Sequence, residues 1–124
     1  MAEGFARAYG EGVIIATSAG LAPASKVSPM TRKIMLEKNI DLGDVLPKGL
    51  EEVNREGCDL VINMSGHPFS LDALKVPVRE WKVRDPIGEP EEVHREVGDQ
   101  IERLVLNLIV ELRDKVENRA DRIR

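Results

Sequence analysis

Cysteine is nearly absent: Cys58 is the only one in 124 residues. No disulfide can form within the chain, and one thiol with no partner suits a reducing compartment, so the cytoplasm is the expected location. Aromatic residues make up only 3%, which leaves little surface for stacking a ring-bearing ligand. No apolar run approaches the ~20 residues of a membrane span. No long basic run accompanies the net charge of −4, so neither nucleic acid nor an anionic membrane has electrostatic support as a partner. A small molecule or a protein is the expected partner. The sequence has no internal repeat and no low-complexity stretch.

What remains is ordinary globular composition, 42% hydrophobic and 32% charged, enough to bury a core as one domain over residues 1–124. Met1, Phe5 and Ala8 fall on one face of a helix over residues 1–9, which Gly10 and Gly12 terminate. The β-branched run Val13–Thr17 reads as a buried strand. Ser28 followed by Pro29 is N-cap and first-turn chemistry, and Met30, Ile34 and Met35 continue a helix over about 28–38. A short helix over Leu50–Arg55 leads to a second strand, Asp59–Met64, and a loop at Ser65–Pro68. A third strand lies within Val76–Val83, ended by Asp85-Pro86. From Pro90 one long amphipathic helix carries Val93, Val97, Ile101, Leu104, Leu108, Leu112 and Val116 along a stripe, with its last turns, 117–122, expected to fray.

This alternation predicts an α/β fold of three layers, α/β/α, around a small parallel sheet covered on both faces. Ligands in such sheets gather at the carboxyl ends of the strands. The opening helix is the exception to the pattern, because no strand precedes it.

MAEGFARAYG resembles the stretch that follows the phosphate loop C-x-x-x-x-x-R-S in low-molecular-weight protein tyrosine phosphatases and the related arsenate reductases. Ser18-Ala19-Gly20 is similar to the family's S-A-G, and Ile40-Asp41-Leu42 to its G-I-D-I segment. Asp59-Leu60-Val61-Ile62 resembles the D-L-V-I strand, and Trp81 to Pro86 resembles W-x-x-x-D-P, followed by the closing helix. The order and spacing of these pieces make the resemblance specific. It implies a four-stranded parallel sheet whose first strand, with the cysteine loop, lies ahead of residue 1, so that Met1 is expected to be an internal methionine of a longer chain.

The resemblance also implies a mechanism in which a thiolate attacks phosphorus, an aspartic acid protonates the leaving oxygen, and water hydrolyses the cysteinyl-phosphate. Backbone N–H groups at a helix N-terminus turn a thiol of ordinary pKa into a thiolate and hold the dianion. The acid adds about a hundred- to ten-thousandfold. Carried over, the general acid is Asp85 and the serine supporting the phosphate loop is Ser18, while no residue matches the nucleophile or the loop arginine. Cys58, at the start of a strand, reads as a structural thiol.

No metal ligand set and no cofactor are expected; His94 has no partner at i+4 and reads as a boundary or solvent residue, and His67 reads as an exposed loop residue. Asp44 stands where many members carry a bracing histidine, and Glu51-Glu52 reads as a solvated pair. Ile87 follows Asp85-Pro86 where phosphotyrosine-specific members carry aromatics. Thioredoxin-coupled arsenate reductases place further cysteines near the end of the Asp59 strand, where this chain has Met64-Ser65-Gly66.

Three functions follow as expectations. The first is hydrolysis of a phosphomonoester or protein tyrosine phosphate, with the chain as written lacking the nucleophile. The second is arsenate reduction with an external thiol, the same kind of site taking either oxyanion. The third is a noncatalytic binding remnant, in which a homo-oligomer fills the gap between the strands at 13–17 and 59–64.

Overall fold

The computed structural model describes residues 1–19, 27–43, 58–67 and 76–123, with side chains in the last helix described through residue 115. Its elements are α1 (Ala2–Tyr9), α2 (Pro29–Glu37), β1 (Val61–Asn63), β2 (Val78–Glu80) and α3 (Glu91–Ile123). The expected short helix at 50–55, Asp44 and Glu51-Glu52 lie outside the described residues.

The core forms where three helices meet. Phe5 of α1, Met35 of α2 and Ile40 after it pack against Val97, Ile101, Val105 and Ile109 of α3. Phe5 and Met35 are fully enclosed, and burying a side chain of that size stabilises by about 1.5–3 kcal/mol. Residues at 97, 101, 105 and 109 recur every fourth position, the spacing that keeps one helical face toward a neighbour. The buried stripe of α3 is rotated from the expected one: Val105 and Ile109 lie at its centre, while Leu104, Leu108 and Leu112 are half-buried at its edge. Likewise α1 buries Phe5 and packs with Met1, Ala2, Ala6 and Tyr9, while Ala8 is exposed. Tyr9 stacks on Phe5 with ring centroids 5.9 Å apart.

Helix ends follow their local chemistry. The Ser28 side chain accepts the Met30 N–H at 3.2 Å, and Pro29 opens α2, the capping expected of that pair. Asn39, at φ 62, turns the chain out of α2, a left-handed conformation that asparagine tolerates. The backbone of α3 stays helical through Ile123, beyond the point where the loss of its apolar stripe suggested fraying.

β1 and β2 run parallel with Val61 opposite Val78, Ile62 opposite Arg79 and Asn63 opposite Glu80. The parallel arrangement agrees with expectation, but the sheet is two-stranded among the described residues. The run Val13–Thr17 is not a strand there. Gly10 O accepts the Val13 and Ile14 N–H groups at 2.9 and 2.8 Å in a turn, and the rest continues extended with no ladder. β-propensity yields a strand only where a neighbouring backbone completes the ladder. No helix of the described residues is long and apolar enough to cross a membrane.

A charged seam lies over the α2–α3 contact. Arg95 of α3 takes Glu37 in a two-pronged grip at 3.0 and 2.8 Å and also pairs with Glu91, which bonds Lys33. One turn on, Lys38 reaches Asp99 at 2.8 Å and Glu102 at 3.0 Å, and Glu102 also accepts the Tyr9 hydroxyl at 2.7 Å. The Arg95 hydrogen bond holds the Glu37 carboxyl below its usual value, the Lys33 bond does so for Glu91, and the Tyr9 bond for Glu102. Hydrogen bonding to Glu102 raises Tyr9, and to Asp99 raises Lys38.

Depressed carboxylates stabilise the fold fully above their ordinary value of 4.5 and lose that contribution as pH falls through the lower folded values. The raised Lys38 and Tyr9 contribute below 10.5 and 10.0 and lose it as pH climbs through the higher folded values. Thermal unfolding followed by circular dichroism should therefore show a plateau between these limits with a fall on either side. The acid fall should shrink in about 1 M salt, which screens exposed pairs.

Candidate functional site

Because the two strands are parallel, their carboxyl ends open on the same side of the sheet. β1 leads there into residues 64–67 and β2 into 81–89.

The first loop is built around Asn63, which is 5% exposed. Its Oδ1 accepts from the Ser65 backbone at 3.0 Å, and its Nδ2 donates to His67 O at 2.8 Å. The Ser65 hydroxyl lies 2.7 Å from Asn63 Oδ1 and 3.0 Å from His67 O, its one proton shared between them, and it accepts the His67 N–H at 3.1 Å. Gly66 takes φ 78 at the tip, a value that glycine adopts without strain. A buried amide with all its polar atoms engaged makes this loop rigid. His67 sits exposed on it, as expected.

The second loop carries Asp85. Its Oδ1 accepts the Ile87 N–H at 3.0 Å, and Glu89 N–H bonds Pro86 O at 2.9 Å with Gly88 at φ 77, a type II turn whose third residue must be left-handed. Arg84 and Glu89 close the loop with an ion pair at 2.9 Å. Both its ends are anchored. Trp81 and Val83 pack on the core, and Gln100 donates to Lys82 O at 3.1 Å. On the far side His94 Nδ1 donates to Pro90 O at 3.1 Å. His94 is 6% exposed, so it is a buried clamp on the start of α3, where the sequence suggested a boundary or solvent residue. Asp85 itself is exposed, and Ile87 beside it is 80% exposed.

Ser18 lies elsewhere. Its hydroxyl donates to Glu3 Oε1 at 3.2 Å, at the first turn of α1, where Arg7 also pairs with Glu3 at 3.8 Å. α1 starts at Ala2 with no side-chain cap hydrogen bond from Met1. A cleft of about 330 Å3 runs from Glu3 and Arg7 to Ile40, Asp41 and Leu42, so Ser18 and the Ile40–Leu42 segment share one neighbourhood. No hydrogen bond or ion pair joins Ser18 to Asp85 among the described residues.

Cys58 is half-buried at the amino end of β1. At ~3.3 Å per extended residue it stands roughly 16 Å along the chain from the carboxyl end at Asn63. Among the described residues no group of three or more His, Cys, Asp or Glu side chains could hold a metal ion.

Two residues that shape the site escaped sequence reading: Asn63, seen only as the end of a strand, and His94. For Asn63 the signal was present, since Asn with Ser two residues on is Asx-turn grammar.

Residues 1–118 match the family described as low molecular weight phosphotyrosine protein phosphatase. The glutaredoxin arsenate reductase of Synechocystis sp. is 36% identical over 115 residues, covering 90% of this chain and 87% of that one. A putative arsenate reductase of Halobacterium salinarum is 36% identical over 92 residues, 74% of this chain and 65% of the relative. Among solved structures, an arsenate reductase in the phosphate binding state superposes with TM-score 0.80 at 34% identity, over 90% of this chain and 86% of that one. An arsenate reductase from Archaeoglobus fulgidus does so with TM-score 0.74 at 26% identity, over 87% and 86%.

Asn63→Ala should cost about 1–3 kcal/mol, the penalty for leaving buried groups unbonded. Urea denaturation reads the cost, and faster amide exchange at Ser65 and His67 would assign it to this loop. Unchanged exchange there would mean that the loop is held by something else.

Proposed function

The chain belongs to the low molecular weight phosphotyrosine protein phosphatase family, and on that premise we propose that it acts in arsenate reduction, taking a tetrahedral oxyanion as substrate and its electrons from thiols outside these 124 residues. The observation that carries this reading is the likeness to relatives named as arsenate reductases, 36% identical over 115 residues in one case. A solved arsenate reductase in a phosphate binding state adds support for an oxyanion ligand.

The roles proposed for Asp85 and Ser18 rest on the family resemblance. First-turn N–H groups of α1, uncapped by any side chain, supply donors for an oxyanion. Ser18, bonded to Glu3 beside that turn, braces the same neighbourhood. Asp85, on a loop tied at both ends, is the proton donor. A thiolate attacks arsenic and forms an As–S bond while hydroxide leaves, protonated by Asp85 to water. A second thiol then attacks that sulfur; the S–S bond forms, and the As–S electron pair stays on arsenic. Arsenic falls from +5 to +3 as two thiols become one disulfide. Cys58 takes neither role, because it stands at the opposite end of β1 from the loop that carries Asp85.

Phosphomonoester hydrolysis is the second reading, favoured by the family's own description. It uses Asp85 in the same way on an alkoxide or phenolate leaving group. Ile87 offers an exposed aliphatic contact beside Asp85 rather than a ring to stack on a phenol, which favours the arsenate reading.

Purified protein supplied with arsenate, glutathione and glutaredoxin should form arsenite with one disulfide per arsenite. Asp85→Asn should slow it by about a hundred- to ten-thousandfold. Turnover of p-nitrophenyl phosphate with no arsenite would overturn the proposal in favour of hydrolysis. Silence in both assays, with arsenate still raising the melting temperature, would overturn it in favour of oxyanion binding alone.

A further inference from the structure

Asp85 sits in a turn whose bonds are internal to it. Its Oδ1 accepts the Ile87 N–H at 3.0 Å, Glu89 N–H bonds Pro86 O at 2.9 Å, and Arg84 pairs with Glu89 at 2.9 Å. These partners all lie within residues 84–89, so they fix the shape of the turn but not its place on the molecule. The other carboxyl oxygen, Oδ2, takes no hydrogen bond among the described residues, and the side chain is exposed. One oxygen is thus held by the turn and the other is left for a reacting group.

The place of the turn is set by the stem before it. Trp81 N–H bonds Asn63 O at 3.0 Å as the ladder ends, and Trp81 and Val83 pack on the core. The side chain of Lys82 between them is exposed, while its carbonyl is taken by Gln100 Nε2 of α3 at 3.1 Å. Three residues, roughly 10 Å of extended chain, separate that tether from Asp85. Gln100 stands on a fixed base: Ile101 beside it is 5% exposed, and Asp99 on its other side pairs with Lys38 at 2.8 Å. A rigid turn on a short stem moves as one body, so a small rotation at Lys82 carries the whole carboxyl with it.

We propose that Gln100 is a positioning residue for the proton transfer assigned to Asp85: by holding the Lys82 carbonyl it keeps Oδ2 where the leaving oxygen needs it. This rests on the reading of Asp85 as proton donor. Misplacing a reacting group by about 1 Å can cost a hundredfold in rate, more than the roughly two- to tenfold that one hydrogen bond contributes to a folding equilibrium. The loss of this tether should therefore be felt in the chemical step before it is felt in stability. Gln100 acts through the loop alone, so substrate binding is unaffected by it.

Gln100→Met keeps the length and helical preference of the side chain but has no donor, and Gln100→Lys restores one. In whichever of the two assays above the protein supports, Gln100→Met should lower kcat about ten- to a hundredfold with KM unchanged, and Gln100→Lys should recover most of that loss. In an Asp85→Asn background Gln100→Met should lower kcat no further, because residues acting on one step do not add. Without substrate, backbone order parameters at residues 85 and 87–89 should fall in Gln100→Met and not in Gln100→Lys, with the circular dichroism spectrum unchanged. Unchanged order parameters, an undiminished kcat in Gln100→Met, or a further loss on top of Asp85→Asn would each overturn the proposal. If neither assay shows turnover, or Asp85→Asn is as fast as the parent, the proton-donor reading falls and this proposal with it; a slow Asp85→Asn beside a fast Gln100→Met refutes the placing of Gln100 alone.

Discussion

The packing of α3 against two helices at once is the contact on which the rest depends. Val97, Ile101, Val105 and Ile109 present a face one residue wide per turn, and Phe5, Met35 and Ile40 fill it from α1, α2 and the turn after α2. Close approach demands small residues at particular points. A Cβ on Gly98 would lie 3.2 Å from Ile34 Cγ2, and one on Gly10 only 2.6 Å from Ala6 O. The second contact is with backbone, which cannot swing away as a side chain can. Gly10 therefore lets the chain turn tightly out of α1 and sets where the extended run Val13–Thr17 begins.

From that frame the site is hung by polar tethers. Gln100, one residue before Ile101 of the buried stripe, holds Lys82 O, and His94 holds Pro90 O. Both anchors stand on α3, so the loop bearing Asp85 takes its position from the helix rather than from the sheet. Arg79 of β2 grips Glu111 through two bonds, at 3.2 and 2.6 Å, which joins sheet to helix across a polar contact. Exposed pairs contribute little singly. Here they fix register between elements whose apolar contacts would allow sliding.

The sequence made the helices and the parallel strands legible because each carries a period or a terminus signal: Ser28-Pro29 for α2, glycines around residues 10–12 for the end of α1, and a β-branched run for β1. Asp85 and Ser18 became visible only through ordered resemblance, since Asp-Pro by itself is a common turn. Other features were not local. Which of Leu104 and Val105 faces inward depends on where two other helices dock, and the stripe is wide enough that either reading satisfies the period. Val13–Thr17 has the composition of a strand, but a ladder needs two backbones. His94 lay beside Val93 on an apolar edge, and nothing in its neighbours announced that its ring would reach back four residues to a carbonyl.

Under the proposed arsenate reading, rigidity at the end of β1 bears on where the electrons come from. A disulfide relay through the protein needs cysteines on the loop at the end of β1, as the resemblance implies for thioredoxin-coupled arsenate reductases. In this chain the corresponding loop holds Ser65, and Ser65 is bonded through its hydroxyl and its N–H to Asn63 and through its hydroxyl to the His67 backbone. Moving it would expose a buried amide and break several hydrogen bonds together, at a cost of about 1–3 kcal/mol for each buried group left unbonded. Cys58 offers no alternative, since a strand held in a parallel ladder separates it from that loop. On the proposed arsenate reading, a loop without cysteine and a thiol at the opposite end of the strand leave a soluble or protein-borne thiol as the source of electrons.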